Sequence, residues 1–218
     1  REGKMERIGM GSRRVCFKIP GTKFCVKCYR SDDEIKEGKY EGLVALAPSV
    51  VREITKARFD KKSNTSCQEY RYWKKLRDKL PPEVFEVFPQ TMECVLVPSR
   101  GWCVIEELVE NHDGSNPKRF SVVYRESDEV MRFALLCKVK ELLSRFIFHV
   151  VRFYDPQNII VQRLEMGGFR LRVVDFEPVA RCLLPLDSLF PILVRKKTAR
   201  RANRWLCERG IDIGVLSW

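Results

Sequence analysis

The sequence predicts an α+β, two-lobed fold: a small antiparallel sheet first, then a short, mainly helical part. Three observations predict it. Short β-like runs bounded by turn residues fill most of the first half, interrupted by one long helical pattern. The segment Asn111-His112-Asp113-Gly114-Ser115-Asn116-Pro117 is dense in turn formers and reads as a lobe boundary, giving lobes at 1–110 and 111–218. Beyond it, a long helical stretch precedes a single strand–turn–strand pattern.

Residues 8–30 read as strands, with Pro20-Gly21 as a turn and Phe24 to Tyr29 as the strand after it. Residues 31–62 are charged and irregular, with a short helix expected near Val50 to Ile54. Ser63-Asn64-Thr65-Ser66 offers several caps for a helix over 65–80, which Pro81-Pro82 stops. Glu93 to Val97 and Trp102 to Val109 are the next strands, separated by Pro98 to Gly101. A helix over 128–148 is expected to follow Val130, Phe133, Ala134, Leu136, Cys137, Lys140, Leu143 and Ile147. Strands at 159–163 and 169–175 flank Met166-Gly167-Gly168, and helices are expected at 187–194 and 196–209.

Candidate chemistry sits at a few places along this order. Asn158 stands just ahead of one apolar strand, and Asp175 at the end of the next, in Val173-Val174-Asp175-Phe176-Glu177. Both offer hard oxygen ligands, which suit magnesium, although a hairpin can carry such a pair by chance. Gly9 and Gly11 precede a strand, where backbone amides can approach phosphates; the plain alternative is a simple turn. Lys27 lies mid-strand and can neutralise phosphate charge. Glu69 shares a helix face with Trp73 and Leu76, so it points inward and needs a partner, for which Lys27 is the natural candidate. The alternative is a half-buried carboxylate at the edge of that face.

Composition bounds the classes. The formal net charge is +12, which favours an anionic partner: nucleotide, glycan, nucleic acid or a membrane surface. The densest basic run, Arg195 to Arg204, leads into Trp205-Leu206 as the docking end of a helix; it reads either as a solvated face or as an RNA or anionic-lipid contact. No apolar run spans a bilayer and the first residues show no signal-peptide core, so a cytoplasmic location is expected. Nine scattered cysteines, with Cys16, Cys94 and Cys137 inside apolar elements, read as reduced small hydrophobes. Cys25 and Cys28 form a C-x-x-C within a strand, which sends the two thiols to opposite faces.

The order Gly-rich turn, strand Lys, helix Glu, Asn loop, strand-end Asp is the order of parts in a protein kinase. The chain resembles the protein-kinase-like superfamily and, within it, is similar to the YrbL family of PhoP-regulatory-network proteins. The resemblance is carried by Asp155-Pro156-Gln157-Asn158-Ile159-Ile160, by Gln68-Glu69-Tyr70-Arg71-Tyr72-Trp73 and by His112-Asp113-Gly114. It implies that Gly9 and Gly11 cover phosphates and that Lys27 pairs with Glu69 and touches the phosphates of ATP. It implies that Glu106 to Val109, with Glu107 and Val109 as binding residues, form a hinge beside an adenine, and that Asn158 and Asp175 hold Mg2+.

One departure bears on catalysis. Counting back five residues from Asn158, to where kinases carry the catalytic Asp, lands on Phe153, which cannot accept a proton. Asp155 is the candidate carboxylate in its stead, with Glu177 as an alternative. Three functions stay open. The first is a Mg-ATP-binding protein with atypical phosphotransfer to a small molecule or glycan. The second is a pseudokinase acting on a protein partner through its surface. The third is a basic nucleic-acid-binding module.

Overall fold

Strand alternation builds the first sheet. In a computed structural model, which describes residues 5–36, 46–151, 156–175, 191–208 and 211, β1 (Glu6–Met10), β2 (Arg14–Lys18) and β3 (Phe24–Tyr29) form an antiparallel meander. With β4 (Thr91–Val97) and β5 (Gly101–Glu107) they make a five-stranded sheet of order β1-β2-β3-β5-β4. Because successive side chains alternate, Val15, Phe17, Val26, Cys28 and Cys103 collect on one face as an apolar core. The opposite face carries Arg14, Cys16, Cys25, Lys27, Tyr29 and Glu106, as the register Arg14↔Tyr29, Cys16↔Lys27 and Cys25↔Glu106 requires. Cys25 and Cys28 therefore do point to opposite faces.

Helices pack on the charged face. After α1 (Asp32–Lys36) comes α2 (Pro48–Ala57), opened by Pro48 and ten residues long. It exceeds the short helix expected near 50–54 because Ile54 and Ala57, a turn further on, bury against Tyr29. In α3 (Thr65–Lys79) the cap is Asn64, whose Oδ1 accepts from the Cys67 amide at 3.2 Å. The Asn64 amide group donates to the carbonyls of Ala57, Arg58 and Trp102, so one enclosed side chain joins α2, α3 and β5. Pro82 opens the four-residue α4 (Pro82–Phe85).

Cys67 of α3 and Cys94 of β4 are disulfide-bonded, with their Cα atoms 5.8 Å apart. This corrects the expectation of reduced cysteines at that position. Cys137, expected inside an apolar face, is exposed.

The second half holds β6 (Lys118–Arg119), α5 (Phe120–Glu126), α6 (Glu129–Phe148), β7 (Ile159–Arg163), β8 (Phe169–Val173) and α7 (Pro191–Cys207). β6, β7 and β8 form a three-stranded sheet in that order. Asp128 caps α6 by accepting from the Met131 amide at 2.8 Å. The inward face of α6 is Leu135, Val139, Leu142, Leu143, Phe146 and Ile147, rotated from the expected one, so Val130 and Phe133 are exposed. One continuous helix, α7, replaces the two expected over 187–209; residues 187–190 lie outside the described residues. Trp205 and Leu206 are buried, and the Trp205 ring meets Phe120 at 5.8 Å.

The chain divides into two compact units, Arg1–Lys74 with Gln90–Leu108, and Lys75–Pro89 with Val109–Trp218. Residues 75–89 belong to the second because Phe88 stacks on Phe146 at 5.6 Å and Lys79 and Glu83 bond to the Val150 carbonyl and the Arg145 guanidinium. A small antiparallel sheet followed by a mainly helical part with one hairpin is the α+β class expected. Among the described residues no helix is long and apolar enough to cross a membrane.

Candidate functional site

In the first unit the candidates lie on the charged face of the sheet. Tyr29 Oη is 2.6 Å from Thr65 Oγ1, and Ser66 Oγ donates to the Lys27 carbonyl at 3.4 Å, so the first turn of α3 is fixed over β3. One turn on, Glu69 is wholly enclosed. Its Oε2 is bonded to Arg14 Nη1, while Lys27 Nζ lies 2.6 Å from Glu106 Oε1. The expected pair of Lys27 with Glu69 is thus replaced by two others. The register explains the exchange: Arg14 sits opposite Tyr29, beneath the start of α3, whereas Lys27 lies between Cys16 and Val104, next to the strand residue Glu106. Glu69 Oε1 makes no hydrogen bond among the described residues, and an enclosed carboxylate oxygen in that state is costly. Glu106, expected in the hinge, has its side chain committed to Lys27.

Gly9 sits at a register irregularity in β1, and Gly11 closes the β1–β2 turn by donating to the Arg14 carbonyl at 2.7 Å. The Gly11 carbonyl accepts from Nε of the fully buried Arg30 at 3.0 Å. A Cβ added at Gly9 or Gly11 would meet nothing nearer than 3.6 Å, so the fold itself does not demand glycine at either place. Glu107 is held at both ends: its amide donates to the Gln90 carbonyl at 2.7 Å and its carboxylate accepts from the Gln90 amide at 3.0 Å. The chain passes from the first unit to the second between Leu108 and Val109.

In the second unit Val109 is buried. Asn158 ends a short 3-10 turn ahead of β7, and Asp175 follows β8. The pairing Ile159↔Val173 carries Asn158 toward Asp175, and Asn158 Nδ2 donates to the Asp175 carbonyl at 2.9 Å. The Asn158 carbonyl accepts from the Val174 amide at 3.0 Å. Asp175 is exposed, with φ 51°, a left-handed conformation that Asp tolerates better than most residues. The donated bond orients the Asn158 amide and turns its Oδ1 away from the Asp175 carbonyl. A carboxamide oxygen and a carboxylate at one hairpin end fit magnesium, which takes few protein ligands and completes its shell with water and phosphate. Among the described residues no cluster of three or more His, Cys, Asp or Glu offers an alternative metal site. Asp155, Phe153, Phe176 and Glu177 lie outside the described residues.

Sequence reasoning missed Arg14 and the Glu106 side chain as the partners of Glu69 and Lys27. The signal for Arg14 was alternation: in Arg14-Val15-Cys16-Phe17-Lys18 the polar residues share a face, the one that α3 covers.

No family model matches the chain, and no curated protein matches it. Among solved structures it is similar to the kinase domain of PF14_0431, with a TM-score of 0.42 and 12% identity, over 78% of this chain and 48% of that one. The chain spans about half the length of that domain.

Proposed function

We propose that this is a kinase-like, Mg-ATP-binding protein of the YrbL type, with atypical phosphotransfer to a small molecule or glycan. The observation that carries the reading is the bracket formed by Asn158 and Asp175 at the end of the β7–β8 hairpin. In this reading Asn158 and Asp175 hold the metal, Lys27 neutralises phosphate charge, and Gly9 and Gly11 admit phosphates to the backbone. Glu107 and Val109 flank the base, Glu69 orders α3 over the sheet, and Asp155 is the carboxylate that would take the acceptor's proton. Bound magnesium would supply charge neutralisation at the phosphates. The test is calorimetry of ATP with and without magnesium on the wild type, Lys27→Ala and Asp175→Asn. Magnesium-dependent binding weakened by both substitutions is expected; magnesium-dependent binding unchanged in Asp175→Asn removes the metal role.

A second reading, a pseudokinase acting through its surface, is favoured by the engagement of Lys27 with Glu106 rather than with Glu69. It expects no ATP binding at millimolar concentration.

A further inference from the structure

We propose that the outer face of α7, together with the end of α6, docks on an anionic lipid membrane. Between Pro191 and Cys207, α7 carries Arg195, Lys196, Lys197, Arg200, Arg201 and Arg204 and not one carboxylate. Its packed side is Thr198, Ala199, Ala202, Trp205 and Leu206. Helical spacing leaves Leu193, Lys197, Arg200 and Arg204 on one outward stripe, and all four are exposed. At a rise of about 1.5 Å per residue, the three cations span roughly 10 Å along the surface.

The first turn of α7 adds an apolar element. Arg195 Nη2 donates to the Phe148 carbonyl at 2.9 Å, and its guanidinium lies 5.9 Å from the centre of the Phe148 ring. This ties the start of α7 to the last residue of α6. Ile192 stands one turn before Arg195, in the first turn of the helix. Phe148, Ile192 and Leu193 are 68%, 56% and 59% exposed. Large apolar side chains at the head of a cationic helix are what an interfacial contact uses: they enter the headgroup boundary while the cations meet lipid phosphates and carboxylates. A nucleic acid would pair with the cations and could stack on Phe148, but it would leave the aliphatic Ile192 and Leu193 in water. The contact lies on the membrane surface rather than across it, since no described helix can span one.

The test is co-sedimentation of the 218-residue chain with phosphatidylcholine vesicles, with and without phosphatidylserine, over a salt series. Binding is expected only with phosphatidylserine and should weaken as salt rises. Lys197→Gln, Arg200→Gln and Arg204→Gln should each weaken it about fivefold, the equivalent of ~1 kcal/mol per surface cation. Ile192→Ser with Leu193→Ser should weaken vesicle binding and leave any binding of a single-stranded RNA oligonucleotide unchanged. All five positions are exposed, so these variants keep the fold; circular dichroism checks it. Absence of sedimentation with phosphatidylserine vesicles at low salt overturns the proposal. So does vesicle binding that is indifferent to the serine pair and matched by the RNA, which would assign the stripe to nucleic acid.

Discussion

Glu69 and Arg14 form an ion pair in which the carboxylate is fully enclosed and the guanidinium nearly so, at 0% and 10% side-chain exposure. Removing only the cation strands a buried negative charge. Arg14→Met should therefore cost about 3–5 kcal/mol in a urea titration. Arg14→Met combined with Glu69→Leu should recover most of that loss, since apolar side chains of similar volume remove the desolvation penalty with the charge. A loss in the double variant equal to the sum of the losses in Arg14→Met alone and Glu69→Leu alone would mean that the pair does not couple.

The Cys67–Cys94 bridge closes a loop of sequence separation 27 and fastens α3 to β4. On the chain-entropy account a loop of that size contributes about 3.5 kcal/mol. Cys94→Ser, or addition of reductant, should lower the melting temperature accordingly, and reductant should leave Cys94→Ser unaffected. Peptide mapping without reductant should recover the two cysteines linked; recovery of both as free thiols would reject the bridge.

Features that depend on one segment's own period were legible in sequence. Alternation placed β2, β3 and β5, and the 3.6-residue period turned Glu69 inward, where it is found. The partner of Glu69 was not legible, because it depends on which residue of β2 lies beneath α3, a matter of register between distant segments. The same holds for the disulfide, whose cysteines belong to a helix and a strand. On α6 the apolar residues run nearly all round, so periodicity alone could not choose Leu135, Val139 and Phe146 over Val130 and Phe133. The seven-residue α5 starts without a side-chain cap and so left no start signal. Asn158 and Asp175 were legible as a pair because a hairpin with a short turn brings its two outer ends together without help from the rest of the chain.

Glycines at 9, 11 and 101 should separate fold from function. Gly101 has φ 74°, and a Cβ there would fall 2.1 Å from the Arg58 carbonyl oxygen, so Gly101→Ala should cost about 3 kcal/mol or more. Gly9→Ala and Gly11→Ala meet no such obstacle and should melt within about 1 kcal/mol of the wild type. If the two glycines admit phosphates, calorimetry should show weaker ATP binding in both despite that intact stability. Unchanged ATP affinity would leave them as an ordinary turn.

Asn158→Ala removes the bond from Nδ2 to the Asp175 carbonyl. The loss in stability should be modest, about 1 kcal/mol. On the magnesium reading, the metal-dependent part of ATP binding should fall while any metal-free binding stays. Asn158→Asp keeps an oxygen ligand but loses the donated bond, so it should retain more of the metal dependence than Asn158→Ala. The reverse order would place the metal elsewhere.

Glu34 gives a pH-dependent contribution whose sign can be worked out. Burial pushes its carboxyl upward, but the hydrogen bond and charge of Arg100, with bonds from Ser31, outweigh burial and hold it below the ordinary value. Arg100 Nη1 lies 2.6 Å and the Ser31 amide 2.8 Å from Glu34 Oε2. A carboxyl depressed on folding stabilises fully above its unfolded pKa, and the contribution disappears as pH falls through the folded pKa. Glu34→Gln should therefore be about 1.5–3 kcal/mol less stable than the wild type at neutral pH, the range for a hydrogen bond to a charged group. The gap should hold down to about pH 5 and close below it, as the wild-type carboxylate takes up its proton and loses its advantage over the amide. Urea midpoints for both chains at neutral and acid pH measure this directly; a gap of constant size would show that Glu34 is held by shape and not by its charge.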